Sequence, residues 1–359
     1  MRGDARAPRP AVGAAALLGL ARRQSLTPLL AALLADTAAH ADPLAAALRR
    51  DLYRSAARHA ALARMAGPLL EALRDAGVPV VVLKGGALAA RLYRDPAHRP
   101  MLDVDLLVGR ADVPALLEAA GRLGLRPLAD RHTPEFDLAF DGTLVLAPDG
   151  LDRAGPQIDV HWRLLDDWRF AGDSAGWLRR AWERAGPVEY GGAPALALAP
   201  EDALLHLAAH LAVQHALDGL LWHCDLALLA RRGVDWAAVA DEASRLRVVG
   251  AVTVALGSTA ALLGVRFPAA LAPAAMPRRW RLARRLAAGR LTALRSTTHL
   301  EHALPLLLMD RAVDAVRAAG RRLLPAPGWI RARYGSGLVG GYARHAGEAV
   351  RLAARSLRP

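Results

Sequence analysis

The sequence contains a single cysteine, Cys224, so no disulfide can form within the chain. Disulfides belong mainly to oxidising compartments, and we therefore expect a reducing, cytoplasmic setting. No apolar run approaches the ~20 residues that a membrane-spanning helix needs, so no membrane partner is expected. The early arginines and the apolar stretch after them resemble a signal peptide. Because Arg22 and Arg23 interrupt that stretch, we interpret it as an amphipathic helix.

Lysine is almost as scarce, since Lys84 is the one lysine among 47 basic residues and the others are arginines. The two side chains are not interchangeable where a compact charge must meet a phosphate. Lys84 is followed by Gly85 and Gly86, which allow a backbone to approach an anion closely. The position is therefore a candidate phosphate contact, and chance survival of one lysine is the alternative.

The composition is that of a globular protein, with 53% hydrophobic and 23% charged residues in 359, enough for two or three domains. The formal net charge of +13 raises the chance of a polyanionic partner such as RNA, DNA or nucleotides. Arginine is abundant in a chain dominated by a few residue types, and we interpret the charge as spread along it rather than gathered in one block. Nucleic acid is thus a possible partner that composition does not favour.

Hydrophobic periodicity predicts an α+β fold: a mixed sheet with helices packed on it, between N-terminal helices and a helical C-terminal domain. We divide the chain into residues 1–76, 77–195 and 200–359, with the boundary in the Gly/Pro/Ala-rich segment from Gly191 to Pro200. The expected strands are Val80–Leu83, Leu102–Val108, Arg126–Leu128, Glu135–Phe140, Thr143–Ala147 and Gln157–Leu164, with a hairpin turn at Asp141-Gly142. The expected helices are Ala11–Arg23, Leu26–Ala38, Pro43–Asp75, Ala87–Tyr93, Ala111–Leu123, Glu201–His215, Gly219–Arg232, Trp236–Arg247, Val249–Leu263, Arg278–Ala288, Leu307–Leu324 and Val339–Leu357.

Paired carboxylates give the clearest chemical signal. Asp103 and Asp105 lie two residues apart in an apolar strand, so both project from the same face. Such a pair repels itself unless a proton or a cation lies between the two groups. Mg²⁺ is commonly held by one or two carboxylates together with substrate phosphates. Asp159 lies on another alternating strand, and its convergence on the pair would complete a two-metal site.

Three segments of the chain resemble the bacterial uncharacterised nucleotidyltransferase family, within the polymerase-beta-type nucleotidyltransferase superfamily. These segments are Leu83–Gly86, Arg99–Val108 and Ile158–Trp162. The helical region from Pro200 to Leu229, with spaced histidines and Asp225, is also similar to that family. The resemblance covers about residues 70–235 well and the flanks poorly.

The resemblance implies a metal-dependent enzyme that moves a nucleoside monophosphate from a nucleoside triphosphate to an unidentified hydroxyl of a small molecule, a protein or RNA. It makes Asp103, Asp105 and Asp159 the catalytic carboxylates and the ligands of Mg²⁺ or Mn²⁺. It makes Gly85 and Gly86 hold the triphosphate, with Lys84 and Arg99 as further phosphate contacts. Many members of the superfamily have serine where Gly86 stands. Glycine lacks the serine hydroxyl, so at this position the backbone alone would bind the phosphate. The alternative is a non-catalytic nucleotide-binding or RNA-binding protein on the same fold.

The histidines admit two interpretations. His206 and His210 share one helical face, and His215, His223 and Asp225 follow, so that a metal site is one possibility. We favour the other, in which these residues line the contact between the helical and sheet regions. We expect Trp222 to be a core residue rather than a stacking platform for a base.

Overall fold

The computed structural model describes residues 13–34, 43–128, 133–151, 155–165, 172–272, 275–292, 300–335 and 337–356. Parts of three expected helices lie outside these ranges, namely residues 11–12, 35–38 and 357. The N-terminal region is helical as expected, with α1 (Ala14–Arg23), α2 (Thr27–Leu34) and the long α3 (Pro43–Asp75). Leu62, Leu69 and Leu73 of α3 are fully buried and cover one face of the sheet.

The next region builds the sheet from seven strands. Its elements are β1 (Val81–Val82), α4 (Lys84–Leu92), β2 (Asp103–Leu107), α5 (Val113–Arg122), β3 (Leu125–Pro127), α6 (Pro134–Phe140), β4 (Thr143–Pro148), β5 (Gln157–His161), α7 (Ser174–Arg184), β6 (Gly186–Tyr190) and β7 (Ala193–Ala197). The strand order is β3-β4-β5-β2-β1-β7-β6. The pairs β2–β5 and β1–β7 are parallel and the other four are antiparallel. The prediction of a mixed sheet in an α+β fold is confirmed.

The two faces of the sheet are covered by different helices. Val104, Leu106 and Ile158 are fully buried in a core that includes residues of α3 and α5. Leu107 points to the other face, into a core built mainly from the helical region after residue 200. Since successive side chains in a strand alternate between faces, Asp103 and Asp105 lie on the same face as Leu107. The carboxylates therefore face the helical region.

One predicted strand is a helix, because Glu135–Phe140 lies within α6. Thr133 caps this helix by accepting a hydrogen bond from the Phe136 N–H at 3.3 Å, and Pro134 occupies its first position. A capping residue, an early proline and acidic residues in the first turn are typical of a helix start. These local signals outweigh the short alternating pattern, so Asp141-Gly142 joins a helix to β4 rather than two strands.

The segment taken as a domain boundary contains part of the sheet. β6 and β7 form an antiparallel hairpin whose turn residues, Gly191 and Gly192, both have positive φ. Two positive φ values are what a tight hairpin turn demands, and glycine supplies them without strain. β7 then pairs in parallel with β1, so the sheet extends to Ala197.

The remaining region is helical, as expected. Its elements are α8 (Pro200–Val213), α9 (Leu220–Leu229), α10 (Trp236–Leu246), α11 (Val249–Leu263), α12 (Arg278–Thr292), α13 (Leu300–Leu308), α14 (Ala312–Leu323), α15 (Pro327–Tyr334) and α16 (Leu338–Ser356). The predicted helix Leu307–Leu324 corresponds to the end of α13 and to α14, and α7, most of α13 and α15 were not among the expected helices. Among the described residues, no helix combines the length and apolarity that crossing a bilayer requires.

The charge is not spread along the chain as the composition suggested. Residues 1–264 carry 29 basic and 30 acidic residues, a formal net charge of −1. Residues 265–359 carry 18 arginines and 4 acidic residues, a formal net charge of +14. The interpretation of an evenly distributed charge is wrong, because it rested on the frequency of arginine and ignored where the acidic residues lie.

Candidate active site

The register of two neighbouring strands brings the predicted carboxylates together. In the parallel pair β2–β5, Asp105 is the direct partner of Asp159, and Leu107 is the partner of His161. Partners in a parallel ladder project from the same face, so the side chains of Asp105 and Asp159 are neighbours. Asp103 follows on the same face of β2, opposite Gln157. The structure thus places all three carboxylates on adjacent strands of one sheet face.

Asp105 is the centre of the polar contacts in this site. Lys84 Nζ donates a hydrogen bond to Asp105 Oδ1 at 2.7 Å, and His161 Nε2 lies 2.9 Å from the same oxygen. The side chains of Lys84 and Asp105 are only 7% and 8% exposed. A buried carboxylate is costly unless it is paired and hydrogen-bonded. Lys84 and His161 supply that compensation within the chain itself.

The surroundings separate the acidities of two of the carboxyl groups. Burial alone would raise the pKa of Asp105, but the Lys84 ammonium and His161 hold that pKa well below its usual range. Burial raises the pKa of Asp103 to about 6, and the negative charges of Asp105 and Asp159 add to the effect. Carboxyl groups whose pKa values are pushed apart in one site are suited to different chemical tasks.

One metal-ligating group is present among the residues that the structure describes. Donor atoms of Asp105, Asp159 and His161 all lie within 4.8 Å of one another. His161 Nε2 is 2.9 Å from Asp105 Oδ1 and 3.7 Å from Asp159 Oδ2. Adjacent ligands of an octahedral ion with ~2.1 Å bonds stand about 3 Å apart, so this donor set fits a divalent cation. Asp103 lies outside the group.

His161 was not among the residues predicted to form the site. The signal was present, since His161 follows Asp159 by two residues in an alternating strand and must project from the same face. Sequence reasoning gave weight to the carboxylates alone. The structure adds an imidazole that contacts both strands of the site.

The glycine pair lies in the first turn of α4 rather than in a loop before it. α4 begins at Lys84, whose φ of 41° is in the left-handed region. A Cβ on Gly86 would stand 2.7 Å from Val82 Cγ1 and 3.1 Å from Val104 Cγ2, so this glycine lets α4 pack closely against the sheet. Gly85 instead lines the cleft above the carboxylates.

Arg99 is fully engaged in a buried ion pair with the helical region. Its guanidinium donates to Asp225 of α9, with Nη2 2.7 Å from Oδ2 and Nε 3.1 Å from Oδ1. Tyr93 donates its O–H to Asp225 Oδ1 at 2.6 Å. Asp225 therefore pairs with Arg99 rather than with the histidines. Arg99 also lines the cleft, so one residue joins the sheet, α9 and the site.

The helical region supplies the opposite wall of the cleft, whose volume is about 820 Å³. His215 stacks on Trp222 with ring centroids 4.8 Å apart, and the Nε2 atoms of His210 and His215 are 3.0 Å apart. Trp222 is half-buried and lines the cleft, so it is not purely a core residue. A volume of this size suits a nucleotide-sized ligand.

The alternative metal site among the histidines gains no support from the geometry. Within the described part of the chain, His206 and His210 belong to no group of three metal donors. Burial, together with the positive charge of Lys84, lowers the pKa of His206 to about 3. His210 and His215 line the cleft, and His206 packs behind them, as the interface interpretation expects.

Comparison with known proteins agrees with the pattern that the site presents. The family model described as "Uncharacterised nucleotidyltransferase" matches residues 10–264. No curated protein matches the chain. The matched region includes α1 to α11 and the entire seven-stranded sheet, with all the site residues described above. A match over most of the chain that includes the carboxylate strands supports a role in nucleotidyl transfer, and the chain belongs to the uncharacterised nucleotidyltransferase family.

Proposed function

We propose that the protein is a divalent-metal-dependent nucleotidyltransferase, which moves a nucleoside monophosphate from a nucleoside triphosphate to a hydroxyl acceptor. The observation that carries this proposal is the direct pairing of Asp105 with Asp159 beside His161, on a sheet face that forms the floor of a cleft. The Lys84 ammonium offsets one of the three carboxylate charges, and the donor set of Asp105, Asp159 and His161 fits a divalent cation that would offset the remaining charge.

The residues divide the work as follows. Asp105, Asp159 and His161 would hold Mg²⁺ or Mn²⁺, and the imidazole would favour Mn²⁺ because Mg²⁺ prefers oxygen ligands. When bound, the cation offsets charge on the triphosphate and activates the acceptor hydroxyl. The backbone N–H groups in the first turn of α4, at Gly85 and Gly86, bind phosphate oxygens. Arg99 lines the cleft, but its guanidinium is paired with Asp225, so the pair adds no net positive charge for the triphosphate.

Asp103 accepts the proton of the acceptor hydroxyl. It lies outside the metal-ligating group, and its burial raises its pKa towards neutrality. A general base works best with a pKa near the working pH, provided that it reaches the proton that it abstracts. The two aspartates of β2 therefore have different roles, although the same strand supplies both.

The experiment measures pyrophosphate release from each nucleoside triphosphate with Mg²⁺ or Mn²⁺, in the presence of RNA, protein or small polyhydroxyl compounds. Asp105→Asn and Asp159→Asn should abolish release while the circular dichroism spectrum stays unchanged. Glu189→Gln is the matched control, because it neutralises an exposed carboxyl on the edge strand β6. If both site variants kept wild-type activity, the proposal would be wrong. Binding of nucleotide without any turnover in the wild type would favour a non-catalytic protein.

The distribution of charge favours a second candidate function, which is RNA binding. The +14 of residues 265–359 lies beyond the region that the family model matches. Exposed arginines of α12, such as Arg278, Arg281 and Arg285, belong to it. Binding to labelled RNA should then weaken steeply between 50 and 200 mM salt, by roughly tenfold or more if several phosphates are contacted. It should survive Asp103→Asn and weaken in Arg281→Gln/Arg285→Gln. Binding that ignored salt would exclude this function.

A further inference from the structure

Lys84 occupies the place beside Asp105 where a second cation of a two-metal site would be expected. Its Nζ is 2.7 Å from Asp105 Oδ1, and its side chain is almost fully buried. The position is fixed by the backbone, since Leu83 N–H donates to the Asp105 carbonyl at 2.9 Å and places the next residue over that aspartate. Lys84 has a φ of 41°, in the left-handed region, where a residue with a side chain is strained. If the contact with Asp105 were flexible, the backbone could relax out of this conformation.

The charges of the site agree with a single additional ion. Asp103, Asp105 and Asp159 together with the Lys84 ammonium have a formal charge of −2, which one divalent cation neutralises. The described residues offer one group of three metal donors here, and Asp103 is not in it. An arginine would present a planar fork instead of a compact charge at Asp105. The chain uses arginine at the other 46 of its 47 Lys and Arg positions, so the lysine at 84 is exceptional.

We propose that the Lys84 ammonium is a built-in second cation of this site, so that the protein binds one divalent ion where related chemistry commonly uses two. Lys84 is then a positioning residue: it holds Asp105 ionised and directed towards Asp159 and His161. The inference builds on the proposed function only in its consequence for turnover. The number of bound ions is measured without any reaction.

The test is a titration of the metal-free protein with Mn²⁺, followed by electron paramagnetic resonance with and without a non-hydrolysable triphosphate. The wild type should bind one Mn²⁺ per chain, with the spectrum of an isolated ion. Lys84→Met, which keeps the length of the side chain and removes the charge, should bind a second ion and show spin–spin broadening. Lys84→Arg should still bind one. Arg91→Met is the matched control, because it removes a positive charge from the same helix outside the cleft.

Two Mn²⁺ ions in the wild type would overturn the proposal, whether or not the variants fold. One ion in both the wild type and a folded Lys84→Met, with less than a threefold change in affinity, would overturn it as well. Failure of the proposed function would give a different result. If the wild type bound one ion, Lys84→Met bound two and no nucleotide were transferred, this inference would stand and the proposed activity would be wrong. If the wild type bound two ions and transferred nucleotide, the activity would stand and this inference would be wrong.

Discussion

Asp103 should destabilise the metal-free protein at neutral pH, and its removal should therefore stabilise the fold. Burial and the charges of Asp105 and Asp159 raise the pKa of Asp103 from 3.8 to about 6. A pKa that differs between the folded and unfolded states makes stability depend on pH. Between these two values the unfolded chain releases the Asp103 proton and the folded chain keeps it, so this carboxyl lowers stability as the pH rises.

The magnitude follows from the shift. Each pKa unit corresponds to 1.36 kcal/mol, which gives roughly 3 kcal/mol above pH 7 for a shift of about two units. The Asp103 side chain is only partly buried, and solvent screening reduces the effect to about 2 kcal/mol. We expect Asp103→Asn to raise the free energy of unfolding by that amount at pH 8 and to leave it nearly unchanged at pH 4. For a chain of this size the melting temperature should rise by about 2–4 °C.

The assay is urea unfolding of the wild type and the variant between pH 4 and pH 8, in the presence of a chelator so that no divalent ion neutralises the site. Only the difference in free energy of unfolding between the two proteins is used. The pKa of Asp105 is lowered by folding while that of Asp103 is raised, so the two carboxyl groups change the stability in opposite directions with pH. Glu189→Gln serves as the control and should show no pH-dependent difference. A variant that is equally stable or less stable than the wild type at pH 8 would refute the electrostatic reasoning.

Three further substitutions separate the roles of the remaining site residues. Asp159→Asn removes one of the three proposed metal donors, and pyrophosphate release should fall at least ~100-fold without a fall in melting temperature, since the variant also removes a repulsive charge beside Asp103; retained activity would contradict the donor set. Arg99→Lys breaks the buried bidentate contact with Asp225, and urea unfolding should show that the free energy of unfolding falls by about 3 kcal/mol. An unchanged free energy of unfolding would show that the pair contributes nothing to stability. Gly86→Ala brings a Cβ to 2.7 Å from Val82, and crowding should cost about 1–3 kcal/mol in the same assay; an unchanged midpoint would show that α4 shifts freely.

The strands that carry the carboxylates could be predicted because their patterns are local. Val104 and Leu106 alternate with Asp103 and Asp105, so the apolar pair and the carboxylates lie on opposite faces of the strand. The pairing of Asp105 with Asp159 was not derivable in the same way. Register depends on which strands meet, and no local pattern in either strand specifies its partner. The resemblance to a family predicted that Asp159 belongs to the site. The pairing of β2 with β5 shows that Asp159 lies directly beside Asp105.

The hairpin of β6 and β7 was missed for a physical reason. Its strands are rich in Ala, Gly and Pro, residues with weak strand propensity, and they are ordered by pairing with β1 rather than by their own preference. Gly191-Gly192 did carry a hairpin signal, but the same residues also suit a linker. The Arg99–Asp225 pair was beyond sequence reasoning as well, since 126 residues separate its members and neither charge has a distinctive neighbourhood.

That buried pair joins the sheet to the helical region within the matched residues 10–264. Arg99 sits directly before the strand of Asp103 and Asp105, and its ion pair with Asp225 ties that strand to α9. An uncompensated buried charge on either side would cost several kcal/mol, so the sheet and α9 cannot separate without a large penalty. The cleft is formed by both, with carboxylates on one wall and Trp222 on the other. A sheet without these helices would leave Arg99 unpaired beside the cleft, so we expect the two parts to fold as one unit.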